Sequence, residues 1–195
     1  MKWLLGSIGF ALFLIYDWND VKLNKRWMKT LFPVGCILVL SGSVMAAYED
    51  MAAGFSWDFK SVTSIVLACI WLGLLIYTLF FAIPFSDAYV EEMHERGVCK
   101  EGMYAFCRHP GIIWFFLLFL FCGIAFPNGT LLKFGLLMSG WNLLYVIFQD
   151  WYTFPKMFSD YGAYKKDTPF LFPNKTSILR GITTWQRHST KGKNQ

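Results

Sequence analysis

The chain has 195 residues, of which 55% are hydrophobic and 16% are charged. Soluble domains carry about 25% charged residues, so the composition is typical of a polytopic membrane protein and excludes an ordinary soluble domain. The net charge of +5 does not indicate nucleic-acid binding, because the basic residues lie in loops and at the C-terminus without interleaved aromatics. The cysteines form no CxxC pair and the histidines have no ligand spacing, so we predict neither a disulfide framework nor a metal site.

Five apolar runs follow one another along the chain: residues 3–16, 30–48, 62–85, 111–126 and 130–148. A spanning helix needs about 20 apolar residues, a length that the second, third and fifth runs reach. The fourth is about one turn short, and the first is the shortest. The first run is not read as a signal peptide, because no small-residue cleavage site precedes Asp17. The predicted fold is therefore all-α, with about five transmembrane helices.

The basic residues predict an orientation. If the N-terminus lies outside, fifteen of the 18 lysines and arginines fall in inside segments, and only Lys2, Lys60 and Lys133 lie outside. The positive-inside rule favours this arrangement. We predict a multi-pass protein of the plasma membrane, or of the inner membrane if bacterial, with its polar segments in the cytoplasm.

Three regions are expected along the chain. Residues 1–85 hold the N-terminal transmembrane helices, and residues 86–173 hold a cytoplasmic loop, a helical hairpin and a post-hairpin segment. Residues 174–195 are expected to be a polar tail with a frayed end. Within the loop, residues 86–96 predict a short helix. The loop 86–109 and the C-terminal segment should form a small cytoplasmic cap.

The fourth and fifth runs predict a helical hairpin around the turn residues Pro127, Asn128 and Gly129. Counted from Gly129, Pro110 and Gln149 end arms of similar length, each about 30 Å at 1.5 Å per residue. We therefore expect Arg108-His109 and Gln149-Asp150 at the same depth on adjacent helices.

These residues have the chemistry of a binding site. Pro110 suits the first position of a helix, whose N-terminus attracts anions, and Arg108 and His109 add side-chain donors. Asp150 adds a negative pole, so the pair of motifs suits a zwitterionic ligand. The alternative is structural. Arg108 and Asp150 would then be ordinary interfacial residues, or an ion pair that stabilises the hairpin. Tyr104, Tyr161 and Tyr164 would belong to an aromatic belt at the membrane interface.

The sequence also resembles a known family. The segment "GMYAFCRHPG" (102–111), the apolar hairpin, "QD" (149–150) and "MFSDYGAYKKDTPFLFP" (157–173) are similar to the isoprenylcysteine carboxyl methyltransferase and phospholipid N-methyltransferase type of membrane methyltransferase. The match covers roughly residues 97–173, and the ordered set of motifs is more specific than Arg-His-Pro alone.

The resemblance implies S-adenosylmethionine as cofactor, bound at the cytoplasmic face, and a lipid-like or lipidated methyl acceptor. Arg108 and Asp150 carry over as the catalytic candidates, Arg108 as an orienting cation and Asp150 as a partner for the ammonium or the substrate. The implied cofactor-binding residues are Gly102, Tyr104, Arg108, His109, Pro110, Gln149, Asp150, Tyr161 and Tyr164.

Two other functions stay open. An NADPH-dependent membrane reductase of the sterol-reductase type also carries an Arg-His-Pro-like motif, although this chain is short and lacks further basic or Asn-rich loop motifs. A non-catalytic protein that keeps the scaffold is favoured by Gln149, which stands where the family's pattern commonly has Glu.

Overall fold

The computed structural model describes residues 1–81, 97–126 and 128–191, with side chains up to residue 184. Every regular element in these ranges is helical, which confirms the all-α prediction. The α-helices are α1 (Lys2–Lys22), α2 (Leu31–Ala52), α3 (Phe59–Phe80), α4 (Met103–Phe106), α5 (Pro110–Ala125), α6 (Thr130–Phe148), α7 (Phe154–Met157), α8 (Tyr161–Asp167) and α9 (Lys175–Lys191). The predicted helix over 86–96 and the turn residue Pro127 lie outside the described residues.

Three described segments are long and apolar enough to cross a membrane: Arg26–Ala52, Phe59–Phe80 and Thr130–Met157. By their length and composition these segments indicate a membrane protein. Helix α5 is apolar but has only 16 residues, in keeping with the short fourth run of the sequence. Five crossings and a cytoplasmic site remain predictions.

Helices α1 and α2 both extend beyond the ends of their apolar runs, α2 as far as Ala52. Helix α1 continues past Tyr16 to Lys22, and its buried Asn19 side chain bonds both the N–H and the carbonyl of Lys25 beyond that end. Helix α9 runs to Lys191 within the segment expected to be a polar tail, and fraying of its end stays a prediction. Polarity alone did not predict this helix, because its stability depends on packing within the fold.

The chain divides into two compact units, and the three regions expected from the sequence stay a prediction. The first unit comprises Met1–Gly73 and Trp114–Thr153, and the second comprises Leu74–Ile113 and Phe154–Gln195.

The first unit is a helical bundle built on close helix contacts. Helices α1 and α2 run antiparallel, since Lys2 pairs with Glu49 at 2.6 Å while Phe13 packs on Phe32. A Cβ on Gly9 would lie 2.8 Å from the Gly35 carbonyl oxygen, so only a residue this small permits the approach. The core of this unit consists of Phe10, Phe13, Ala46, Phe119, Leu131, Phe134 and Met138.

A buried carboxylate fixes the start of α6. Gly129 adopts the left-handed conformation with φ of 71°, as suits the predicted turn. The Asp50 carboxylate of α2 then accepts the N–H groups of Thr130 at 3.0 Å and Leu131 at 2.9 Å. Asp50 thus caps a helix that begins 80 residues later in the chain.

Candidate functional site

The Arg-His-Pro element precedes α5 in the second unit. Gly102 has φ of 58° and leads into α4, and Cys107 is extended, so that Pro110 becomes the first residue of α5. The predicted role of Pro110 as a helix start is confirmed. Because the main-chain N–H of Arg108 donates to the Pro169 carbonyl at 2.9 Å, this element is joined to the segment after α8.

The Arg108 guanidinium caps the end of α8. Its Nη1 donates to the carbonyls of Lys165 at 3.1 Å and Thr168 at 2.7 Å, and its Cζ lies 5.6 Å from the ring centre of Phe170. The last carbonyls of a helix lack partners within the helix, and a cation there is favoured by the helix dipole. Arg108 therefore holds the Arg-His-Pro element against α8.

His109 is buried between two phenylalanines. Its ring stacks on Phe154 with centroids 5.8 Å apart, and it lies 5.0 Å from Phe170 at a tilt of 60°. Phe154 and Phe170 belong to the post-hairpin segment, so His109 also joins the two motifs within this unit.

Tyr104 and Tyr164 use their hydroxyl groups inside the fold. The Tyr104 hydroxyl donates to the Thr78 carbonyl at 3.0 Å, and the Tyr164 hydroxyl donates to the Tyr104 carbonyl at 2.7 Å. Burial raises the pKa of both tyrosines, so both remain protonated hydrogen-bond donors at neutral pH. Tyr161 is buried in an aromatic cluster with Phe154 and Phe158.

Two further titratable groups lie in this unit, Cys107 and Asp160. Burial raises the pKa of the Cys107 thiol to about 11, which keeps it a thiol rather than a nucleophilic thiolate. Asp160 accepts the Val98 N–H and pairs with Lys100. Burial opposes ionisation of Asp160, but these partners hold its pKa below the ordinary value.

The second predicted motif lies in the first unit. Gln149 and Asp150 begin a π-helical turn, Gln149–Thr153, and the Asp150 side chain is buried. Such turns are rare and are frequent at functional sites. Since Arg108 and His109 belong to the other unit, their expected juxtaposition with this motif stays a prediction.

Sequence reasoning missed a buried polar cluster around Asp17. The Gln149 amide donates to the Tyr145 hydroxyl at 2.9 Å, which donates to Asp17 Oδ1 at 3.0 Å. Gln149 and Thr153 also face this carboxyl, yet Asp17 Oδ2 and the Thr153 hydroxyl have no partner with hydrogen-bond geometry among the described residues. The one available signal was an aspartate directly after an apolar run.

The described residues contain no group of three His, Cys, Asp or Glu side chains that could hold a metal ion. Comparison with protein-family models, with curated proteins and with solved structures finds no match to the chain.

Proposed function

We propose that the chain is an integral-membrane, S-adenosylmethionine-dependent methyltransferase, acting on a hydrophobic or amphipathic acceptor at the cytoplasmic membrane face. One observation carries this proposal. Arg108 bonds to carbonyls at the end of α8, and the Tyr104 carbonyl accepts a hydrogen bond from Tyr164 within α8, although 57 to 60 residues separate the partners. The Arg-His-Pro element and the aromatic segment thus belong to one folded body, as a shared cofactor site requires.

The residues present fit the cofactor, which carries a carboxylate, an ammonium and a sulfonium. Arg108 and the N-terminus of α5 suit the carboxylate. For the ammonium the resemblance implies Asp150, whose meeting with Arg108 stays a prediction.

The bound cofactor supplies a methyl group activated on sulfur. The protein's residues orient it and exclude water from the reacting groups, which strengthens their electrostatic interactions. A carboxylate or thiolate acceptor needs no base. An amine acceptor must lose a proton, and Asp150 or His109, both buried, would take it.

Cofactor binding tests the proposal directly. We expect saturable binding of S-adenosylhomocysteine to purified protein in nanodiscs, weakened at least tenfold in Arg108→Ala. Arg180→Ala is the matched control, because Arg180 Nη1 also reaches the end of α8, at 3.3 Å from the Asp167 carbonyl. If both variants lose binding equally, the effect is loss of the helix cap and the role of Arg108 in binding is rejected.

Asp150→Asn tests the implied cation contact separately. Asparagine keeps an acceptor oxygen but removes the charge, so S-adenosylhomocysteine should bind more weakly while the melting temperature is maintained. Unchanged affinity with a lower melting temperature would reject the role of Asp150 and leave the methyltransferase proposal standing. Binding of NADPH without S-adenosylhomocysteine would reject the methyltransferase in favour of a reductase.

A non-catalytic scaffold is the second candidate. It is favoured by the Arg108 Nη1 bonds, both of which go to main-chain carbonyls. This candidate predicts that neither S-adenosylhomocysteine nor NADPH binds, and that Arg108→Ala lowers the melting temperature.

A further inference from the structure

Helix α9 begins with a reciprocal cap and packs along one face. The Asn174 side chain accepts the Ser177 N–H at 2.8 Å, and the Ser177 hydroxyl accepts the Asn174 N–H at 2.9 Å. Ser177 and Gly181 are buried, and a Cβ on Gly181 would lie 2.5 Å from the Phe106 ring. The capping box and this close contact fix which side of α9 faces the protein.

A different side of the same helix exposes large apolar residues. Ile178, Leu179 and Ile182 are 40%, 66% and 46% exposed, and Phe172, just before the cap, is 80% exposed. Their spacing places the three helix residues on one stripe. The helix sequence also contains Lys175, Arg180, Arg187 and Lys191 but no acidic residue.

A short series of contacts links α9 to the end of a membrane-length helix. Tyr104 in α4 bonds to the carbonyl of Thr78, two residues before the end of α3. Phe106, at the other end of α4, packs against Gly181 of α9. Since α3 is long enough to cross a membrane, α9 is held near the level at which α3 ends.

We propose that α9 lies in the interface of an anionic lipid leaflet, with the stripe Ile178, Leu179 and Ile182 inserted at the headgroup level. A basic helix with one apolar stripe is the type that binds such surfaces, through apolar burial and attraction to anionic headgroups. A second copy of the chain fits this face poorly, because a stable protein interface buries about 1,200–2,000 Å² and this stripe has three side chains. The proposal requires a membrane-spanning chain but is independent of the methyltransferase proposal.

Hydrogen exchange of the full chain tests the proposal. Single copies are placed in nanodiscs of phosphatidylcholine, or of phosphatidylcholine with 30% phosphatidylglycerol. Amides of residues 176–184 should exchange at least threefold more slowly in the anionic discs, and added salt should reduce the difference because it screens the headgroup charge. The proposal is overturned if the amides of residues 176–184 exchange at the same rate in the two lipid mixtures.

Two matched double variants separate the apolar stripe from the rest of the helix. Leu179→Ser with Ile182→Ser should abolish the lipid-dependent protection, whereas Thr176→Ala with Thr183→Ala, at exposed polar positions of the same helix, should retain it. If exchange in the anionic discs stays equally slow in the serine variant, the stripe does not cause the protection, and its insertion into the lipid is rejected.

Discussion

Replacing Asp50 by alanine should destabilise the protein strongly. Asp50 is fully buried, and its carboxylate accepts two N–H groups at the first turn of α6, at 3.0 and 2.9 Å. A hydrogen bond to a charged group contributes about 1.5–3 kcal/mol, so loss of both lowers the free energy of unfolding by about 3–6 kcal/mol. The N–H of buried Leu131 would lose its acceptor, because the alanine methyl group cannot accept, whereas the part-buried N–H of Thr130 can turn to water.

Thermal unfolding in detergent, followed by tryptophan fluorescence, measures the effect. For a chain of this size about 1 kcal/mol shifts the melting temperature by about 2–4 °C, so we expect a fall of about 6–24 °C. Asp58→Ala is the matched control: Asp58 accepts the Ser61 N–H at 2.7 Å, but it is exposed and water can replace it. The reasoning is refuted if Asp50→Ala lowers the melting temperature no more than Asp58→Ala does.

Two further predictions concern packing and pH. Gly135→Ala should destabilise by about 1–3 kcal/mol, because its Cβ would lie 2.2 Å from Cβ of Phe119, whereas Gly140→Ala, with nothing within 4 Å, should be neutral or stabilising in the same melting assay. Equal effects of the two substitutions would contradict the packing argument. The Asp160–Lys100 pair lowers the pKa of Asp160, so it should stabilise the protein at pH values above about 3.9, the ordinary pKa of aspartate. Because the pair is exposed, the stabilisation should be at most about 1 kcal/mol. This stabilisation should disappear as the pH falls through the lowered pKa, so the melting temperatures of wild type and Asp160→Asn should converge in acid. A difference in melting temperature that grows in acid would contradict this prediction.

Local patterns in the sequence predicted the helical fold. Apolar runs indicated the helices, and Thr130–Phe148 coincides with α6. Gly129 predicted the turn and Pro110 the start of α5, because a left-handed φ and a missing N–H are properties of single residues. Such features need no knowledge of the neighbours in space.

The partners of the polar residues depended on tertiary structure. Arg108 Nη1 bonds to carbonyls at the end of α8, a contact that the sequence did not predict, while its meeting with an anion or with Asp150 stays a prediction. The Asp17–Tyr145 bond joins residues 128 positions apart, and no local periodicity encodes such a contact. Helix packing decides which buried donor reaches which acceptor, since a buried polar group must find a partner among whatever the fold brings near.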